Sequence, residues 1–300
     1  MSVTEIKKPP SKDLPETSKG KHGQLGLHRL IPNLLTLMAL AAGLTAIQVA
    51  LEGNWERAVI AVLIAAILDA LDGAVARLLN ATSDFGAELD SLSDFLAFGI
   101  APAVILYTWI LEDAGKIGWI AMLVYAAATA LRLARFNVMR DTARPDWKRG
   151  FFSGIPAPAG AGLALLPLII WLQFPQFFEQ FAFATPFAGL WVILVAALMV
   201  SRIPTWSSKQ IKIPAKMGMP ALAFGALVIA ALIQAPWQTL SLSALIYMAS
   251  IPFAIRHFLR LQARYEDAED LADLALGTLS LEELSDRKAR EKARTEKKET

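Results

Sequence analysis

Cysteine is absent from the 300-residue sequence, which excludes disulfide bonds, iron–sulfur clusters and catalysis by a thiol. Charged side chains are also scarce: they make up 19% of the residues, against about 25% in a typical soluble domain. Hydrophobic residues reach 55%, and the mean hydropathy is +0.44. So apolar a chain would not stay solvated as a disordered polymer, and its net charge of +2 gives no sign of nucleic-acid binding. The composition indicates a polytopic membrane protein.

Apolar runs divide the chain into eight candidate membrane-spanning helices, each close to the roughly 20 residues that a bilayer requires. They cover residues 31–51, 57–79, 87–111, 117–137, 155–173, 185–203, 217–236 and 238–259. The fold class predicted from them is all-α. Charged segments flank these runs, so we predict three parts: an N-terminal segment (1–30), a transmembrane domain (31–260) and a charged tail (261–300).

Lysine and arginine concentrate in alternate connections between these runs. The basic connections are 138–154 and 204–216, whereas the other connections hold one basic residue or none. Because positive residues mark the cytoplasmic side of a membrane protein, both termini and the two basic connections are predicted to be cytoplasmic.

Acidic residues inside the membrane region cluster in one stretch, although each costs free energy there unless it is compensated. Asp69 and Asp72 are spaced i,i+3 on helix two, and Asp90 and Asp94 are spaced i,i+4 on helix three. The tight connection near 80–83 makes the two helices antiparallel neighbours, so all four carboxylates can converge. Divalent cations would compensate the charge, and oxygen ligands alone suit Mg²⁺, Mn²⁺ or Ca²⁺. A structural polar cluster or an ion-conduction site is the alternative.

Small residues and one arginine accompany these acids. Gly73 and Ala76 continue an acidic face of helix two, and Gly86 lies one turn before Asp90. Such residues let a bulky group approach the backbone, or let two helices pack closely. Arg77 can pair with a phosphate bidentately, or it can anchor the positive end of its helix. Together, these features describe a site for a diphosphate.

Read as one string, the segment is Asp69-x2-Asp72-Gly73-x2-Ala76-Arg77-x8-Gly86-x3-Asp90-x3-Asp94. It resembles the signature of the CDP-alcohol phosphotransferases at every fixed position, and the resemblance covers about residues 25–260. It implies an integral membrane enzyme that transfers a substituted phosphate from a CDP-linked donor to an alcohol and releases CMP. It also implies a six-helix core, here with two further helices, and a homodimer.

The resemblance further implies roles for individual residues. It assigns divalent-cation binding, by two Mg²⁺ or Mn²⁺ ions per site, to Asp69, Asp72, Asp90 and Asp94. Asp94 matches the position of the general base. The matching donor-binding positions are Gly73, Arg77 and Ser83, with Pro32 and Asn33 at the start of helix one and Ala76 and Gly86 completing the motif.

Three further segments resemble the branch of this family that transfers a phosphatidyl group from CDP-diacylglycerol to L-serine in phospholipid biosynthesis. They are Phe85–Pro102, Ala130–Asn137 and Phe152–Pro158, the last with departures at Ile155 and Ala157. The expected location is a bacterial inner membrane. Choline, glycerol phosphate and an inositol remain alternative acceptors, and a cation transporter that uses the aspartates is the alternative from another class.

The acceptor needs its own pocket. L-serine carries a carboxylate, so an arginine is expected near it. Arg132 and Arg135, at the cytoplasmic end of helix four, are the candidates, together with Asn137. Anchoring of the helix end by positive charge is the alternative role for each arginine.

Overall fold

A computed structural model of the protein describes residues 27–140, 150–176, 184–207 and 218–275. These residues form helices and two short strands. The elements are α1 (Leu27–Leu51), α2 (Trp55–Leu78), α3 (Asp84–Ala114), α4 (Lys116–Arg140), β1 (Phe151–Ser153), α5 (Ala157–Ala164), α6 (Leu166–Gln173), α7 (Ala184–Val200), β2 (Pro204–Trp206), α8 (Gly218–Gln234) and α9 (Pro236–Ala275).

Five of these helices, α1 to α4 and α9, are long and apolar enough to cross a membrane. The shorter apolar helices α7 and α8, and the pair α5 and α6, lie where the sequence predicts the remaining spans. Helix α8 has no buried residue and exposes large side chains such as Phe224 and Leu227. Such a surface suits lipid and would aggregate in water. The prediction of an all-α polytopic membrane protein is confirmed, and the number of eight spans stays a prediction.

Several details of the architecture lie outside the sequence prediction. The predicted fifth span is broken at Leu165, and a new helix begins at Leu166 with Pro167 in its first turn. Strands β1 and β2 pair antiparallel, with Phe151 opposite Trp206, and so join the two predicted basic connections. Helix α9 runs to Ala275, past the predicted end of the transmembrane domain. Most of the predicted tail, and residues 1–26, lie outside the described residues.

Helix α3 is continuous but not uniform. It is α-helical over Asp84–Asp94 and then becomes a π-helix over Phe95–Ile100, where the turns are wider. The hydroxyl of Tyr125 on α4 donates a 2.9 Å hydrogen bond to the carbonyl of Phe98 in this segment. Tyr125 is fully buried, so this bond ties α4 to the wide turns directly after Asp94.

Helix α1 packs along α2 and α3, and a glycine permits the approach. A Cβ atom on Gly43 would lie 2.9 Å from the Cα of Ala97, so a side chain there would collide with the α3 backbone. After the C-terminal end of α2, a turn with Asn80 at φ 49° leads to Ser83, which caps the start of α3. The two acidic segments are thus held side by side against α1.

Candidate active site

Carboxylates from α2 and α3 meet near the turn that joins these helices. Asp69, Asp72 and Asp90 each offer an oxygen, and these atoms all lie within 4.8 Å of one another. Asp94, one turn after Asp90, lies close enough to all three for direct electrostatic interaction. Like charges at this density repel strongly, so a cation bound here would stabilise the arrangement.

Thr36 on α1 supports this cluster. Its hydroxyl donates a 2.5 Å hydrogen bond to Oδ2 of Asp72, and both residues are buried. The backbone carbonyl of Thr36 accepts a 3.1 Å hydrogen bond from the hydroxyl of Ser93 on α3. Helix α1 therefore contacts both acidic helices through polar groups. The sequence reading missed Thr36, although it lies one helical turn after Pro32 on the same face.

A cavity of about 500 Å³ opens beside the acids. The ends of α1, α2, α3 and α4 that lie nearest the α2–α3 turn form its walls. All seven predicted donor-binding residues line it, namely Pro32, Asn33, Gly73, Ala76, Arg77, Ser83 and Gly86. Asp72, Asp90 and Asp94 also line it, whereas Asp69 is not among the lining residues.

The glycines of the motif make room for neighbouring polar groups. A Cβ atom on Gly86 would lie 3.0 Å from Oδ1 of Asn33 and 3.1 Å from Oγ of Ser83. The Ser83 oxygen accepts a 3.0 Å hydrogen bond from the Gly86 amide and so caps α3. A Cβ atom on Gly73 would lie 3.4 Å from Nη1 of Arg77, so the guanidinium folds back over this glycine.

The three predicted acceptor-binding residues lie in different surroundings. Asn137 lines the main cavity, and its Nδ2 donates a 3.0 Å hydrogen bond to the hydroxyl of Ser91. Arg132 is 9% exposed, lies within electrostatic range of Asp94 and donates a hydrogen bond from Nε to the carbonyl of Ile155.

The guanidinium of Arg135 is bound to the end of α7. Its Nη1 lies 2.7 Å from the carbonyl oxygen of Val200 and 3.4 Å from that of Ser201. A cation at a helix C-terminus stabilises the helix through its dipole and its unpaired carbonyls. Arg132 and Arg135 both line a small cleft that adjoins the main cavity at Phe136.

The donor set fits a hard divalent cation. Its ligands are carboxylate oxygens, and no histidine or cysteine joins the clusters among the described residues. Mg²⁺, Mn²⁺ and Ca²⁺ prefer such ligands, whereas zinc and copper prefer nitrogen and sulfur.

Comparison with known proteins shows the family of the chain. The model of the family described as CDP-alcohol phosphatidyltransferase matches residues 29–188, and that described as CDP-alcohol phosphatidyltransferase 2 matches residues 216–252. The chain belongs to the CDP-alcohol phosphatidyltransferase family, whose members generally use divalent cations.

Curated relatives resemble the chain over most of its length. This chain is 40% identical to a CDP-diacylglycerol–serine O-phosphatidyltransferase of Mycobacterium leprae over 243 aligned residues. The aligned residues cover 81% of this chain and 79% of the relative. The chain is 38% identical over 199 residues to a protein of the same name from Helicobacter pylori, covering 66% of this chain and 81% of the relative.

Proposed function

We propose that this protein transfers the phosphatidyl group from CDP-diacylglycerol to L-serine, giving phosphatidylserine and CMP. The convergence of the Asp69, Asp72 and Asp90 carboxylates beside a cavity lined by the CDP-alcohol motif carries this proposal. The named activity of the Mycobacterium leprae and Helicobacter pylori relatives supports serine as the acceptor. The product is a membrane phospholipid, which agrees with an enzyme embedded in the bilayer.

The aspartates are the proposed metal ligands. Asp69, Asp72 and Asp90 would hold one ion, and Asp72, Asp90 and Asp94 would hold a second. Mg²⁺ and Mn²⁺ are the ions of choice because the ligands are oxygens. When bound, these ions neutralise the charge of the diphosphate and of the departing CMP.

The donor lies in the cavity beside the acids. The Arg77 guanidinium pairs with the diphosphate, since it is always charged and presents two parallel donors. Gly73 and Gly86 let the nucleotide approach the helix backbone. The remaining proposed contacts of the CDP group are Pro32, Asn33, Ala76 and Ser83. The acyl chains leave the cavity sideways into the bilayer.

Asp94 acts as the general base. Its carboxylate takes the proton from the serine hydroxyl as the oxygen attacks the phosphorus that bears diacylglycerol. The new P–O bond forms, the bond to the CMP oxygen breaks, and CMP leaves. Phosphoryl-type transfer depends mainly on positioning and charge neutralisation, so one base and a well-held donor suffice.

Arg132 is the proposed binding residue for the serine carboxylate. It is buried and within electrostatic range of Asp94, which supports an acceptor that contacts both groups. Asn137 lies on the wall of the main cavity and contributes a polar contact to the acceptor. Arg135, in contact with the end of α7, positions the surrounding helices.

Charged segments flank the membrane domain of the enzyme. Residues 31–260 form the catalytic membrane domain, with eight spans, between segment 1–30 and tail 261–300. Both termini lie in the cytoplasm and the membrane is a bacterial inner membrane, supported by the placement of basic residues. The active unit is a homodimer.

The test supplies purified protein with CDP-diacylglycerol, Mg²⁺ or Mn²⁺, and one alcohol at a time. CMP release with L-serine, and not with choline, glycerol phosphate or inositol, is the expected result. CMP release with another alcohol but not with serine would contradict the proposed acceptor. Cation flux through vesicles without CMP release would instead identify a transporter.

A further inference from the structure

The hydroxyl of Tyr247 on α9 is buried and makes no hydrogen bond of ordinary geometry among the described residues, although the side chain of Thr205 lies close to it. A buried hydroxyl without a partner destabilises a protein, because it has lost its bonds to water. Such a group calls for an explanation, and a bound ligand is one. The other buried side-chain atom of this kind in the described ranges, Nε1 of Trp55, belongs to the distant start of α2.

The packing of α9 directs this tyrosine inward. Ile251 and Ala254 are buried, and Tyr247 lies one turn before Ile251 on the same face of the helix. Strand β2 packs against α9, and the Tyr247 hydroxyl lies beside Thr205 of that strand. The Thr205 hydroxyl donates a 2.8 Å hydrogen bond to the carbonyl of Gly154.

Tyr247 also lies within electrostatic range of Arg132, which in turn lies within that range of Asp94. Arg132 therefore interacts with both Asp94 and Tyr247. Arg132 donates a hydrogen bond from Nε to the carbonyl of Ile155, and its two Nη groups are further hydrogen-bond donors. A guanidinium and a phenol are both hydrogen-bond donors, and together they suit a carboxylate.

We propose that Tyr247 is a specificity-determining residue whose hydroxyl donates a hydrogen bond to the carboxylate of the acceptor held by Arg132. This inference rests on the proposed function, since it takes an amino acid with a hydroxyl as the acceptor. The hydroxyl of serine then faces Asp94, and its carboxylate faces Arg132 and Tyr247. Tyr247 lies outside residues 29–188 and within residues 216–252, which the second family model matches, so the C-terminal part of the chain contributes to the choice of acceptor.

The experiment compares Tyr247→Phe with Tyr107→Phe. Both tyrosines are half-buried, but Tyr107 packs against Trp119 near the far end of α3. Initial rates of CMP release are measured against L-serine and against CDP-diacylglycerol. Serinol, which keeps the amine and hydroxyl but lacks the carboxylate, serves as a second acceptor.

Tyr247→Phe is expected to raise the KM for serine about 10-fold or more, because a hydrogen bond to a charged group is lost. The kcat and the KM for CDP-diacylglycerol should stay within about twofold, and the preference for serine over serinol should shrink by the same factor as the KM rises. Tyr107→Phe should change none of these values.

Two results would overturn the inference while leaving the proposed function intact. One is a serine KM of Tyr247→Phe within about twofold of the wild-type value. The other is an equal loss with serine and serinol, which would show that the ring position and not the carboxylate contact had changed. Failure of the wild-type protein to release CMP with serine would overturn the proposed function and this inference with it.

Discussion

The Thr36 hydroxyl on α1 lies 2.5 Å from Oδ2 of Asp72 on α2, where it donates a hydrogen bond to a proposed metal ligand. A carboxylate held in this way presents its other oxygen in a fixed direction. Partners that orient a metal ligand typically contribute 10–100-fold to metal affinity or activity. Thr36 thereby connects the first helix to the reaction, although it carries no charge.

Replacement of Thr36 by valine tests this relationship, since valine keeps the shape and removes the hydroxyl. We expect activity to fall about 10-fold or more and the Mg²⁺ concentration for half-maximal activity to rise. Thr36→Ser should restore both. Thr45→Val is the matched control, because Thr45 lies on the same helix, is exposed and bonds the carbonyl of Ala41. Equal activities for Thr36→Val and Thr45→Val would show that the contact is without consequence.

The sequence predicts the helices well, because apolar runs long enough for a bilayer are rare outside membrane spans. It predicts their irregularities poorly. The π-helix after Asp94 contains the carbonyl of Phe98, which accepts a hydrogen bond from Tyr125 on α4, and no local sequence pattern reports such a tertiary contact. Strands of three residues, such as Phe151–Ser153, are too short to show a period.

The sequence likewise predicts one part of the candidate site and misses another. Spacing along α2 and α3 predicts that acids of both helices meet, since i,i+3 and i,i+4 pairs share a face, and the structure brings these carboxylates together. Thr36 and Tyr247 come from helices distant in sequence. Tertiary packing sets how these two helices are rotated and placed relative to the acids. The contacts of Thr36 and Tyr247 therefore cannot be predicted from sequence spacing.

Asp94→Asn tests the general base. The amide keeps the size of the carboxylate but cannot take the serine proton, so kcat should fall by about 10² to 10⁴. The KM for CDP-diacylglycerol should change far less. Asp113→Asn, at the exposed far end of the same helix, is the control and should be fully active. Wild-type activity in Asp94→Asn would exclude the proposed role.

Removal of metal tests the donor set. Dialysis against EDTA should abolish CMP release, and Mg²⁺ or Mn²⁺ should restore it, because the cluster offers carboxylate oxygens. Asp90→Asn should raise the metal concentration needed for half-maximal activity. Full activity after exhaustive chelation would mean that the carboxylates serve another purpose.

Gly86→Ala tests the narrow donor cavity. The added methyl group would lie 3.0 Å from Oδ1 of Asn33 and 3.1 Å from Oγ of Ser83, so these groups must shift. We expect a severalfold higher KM for CDP-diacylglycerol. Gly162→Ala is the control, because a Cβ atom there meets nothing within 4 Å and alanine favours a helix by up to about 1 kcal/mol. An unchanged KM in Gly86→Ala would show that the nucleotide does not approach this backbone.

The two arginines of α4 should have different functions, stability for Arg135 and acceptor binding for Arg132. Arg135→Gln removes the hydrogen bonds to the end of α7, and we expect a loss of about 1–3 kcal/mol in stability, seen as a lower Tm in detergent. Its KM for serine should stay near the wild-type value.

Arg132→Gln removes the guanidinium that interacts with Asp94 and should raise the KM for serine at least 10-fold. Arg57→Gln, on the exposed start of α2, controls for loss of charge alone. If Arg135→Gln raised the serine KM as strongly as Arg132→Gln at an unchanged Tm, Arg135 would belong to the acceptor site.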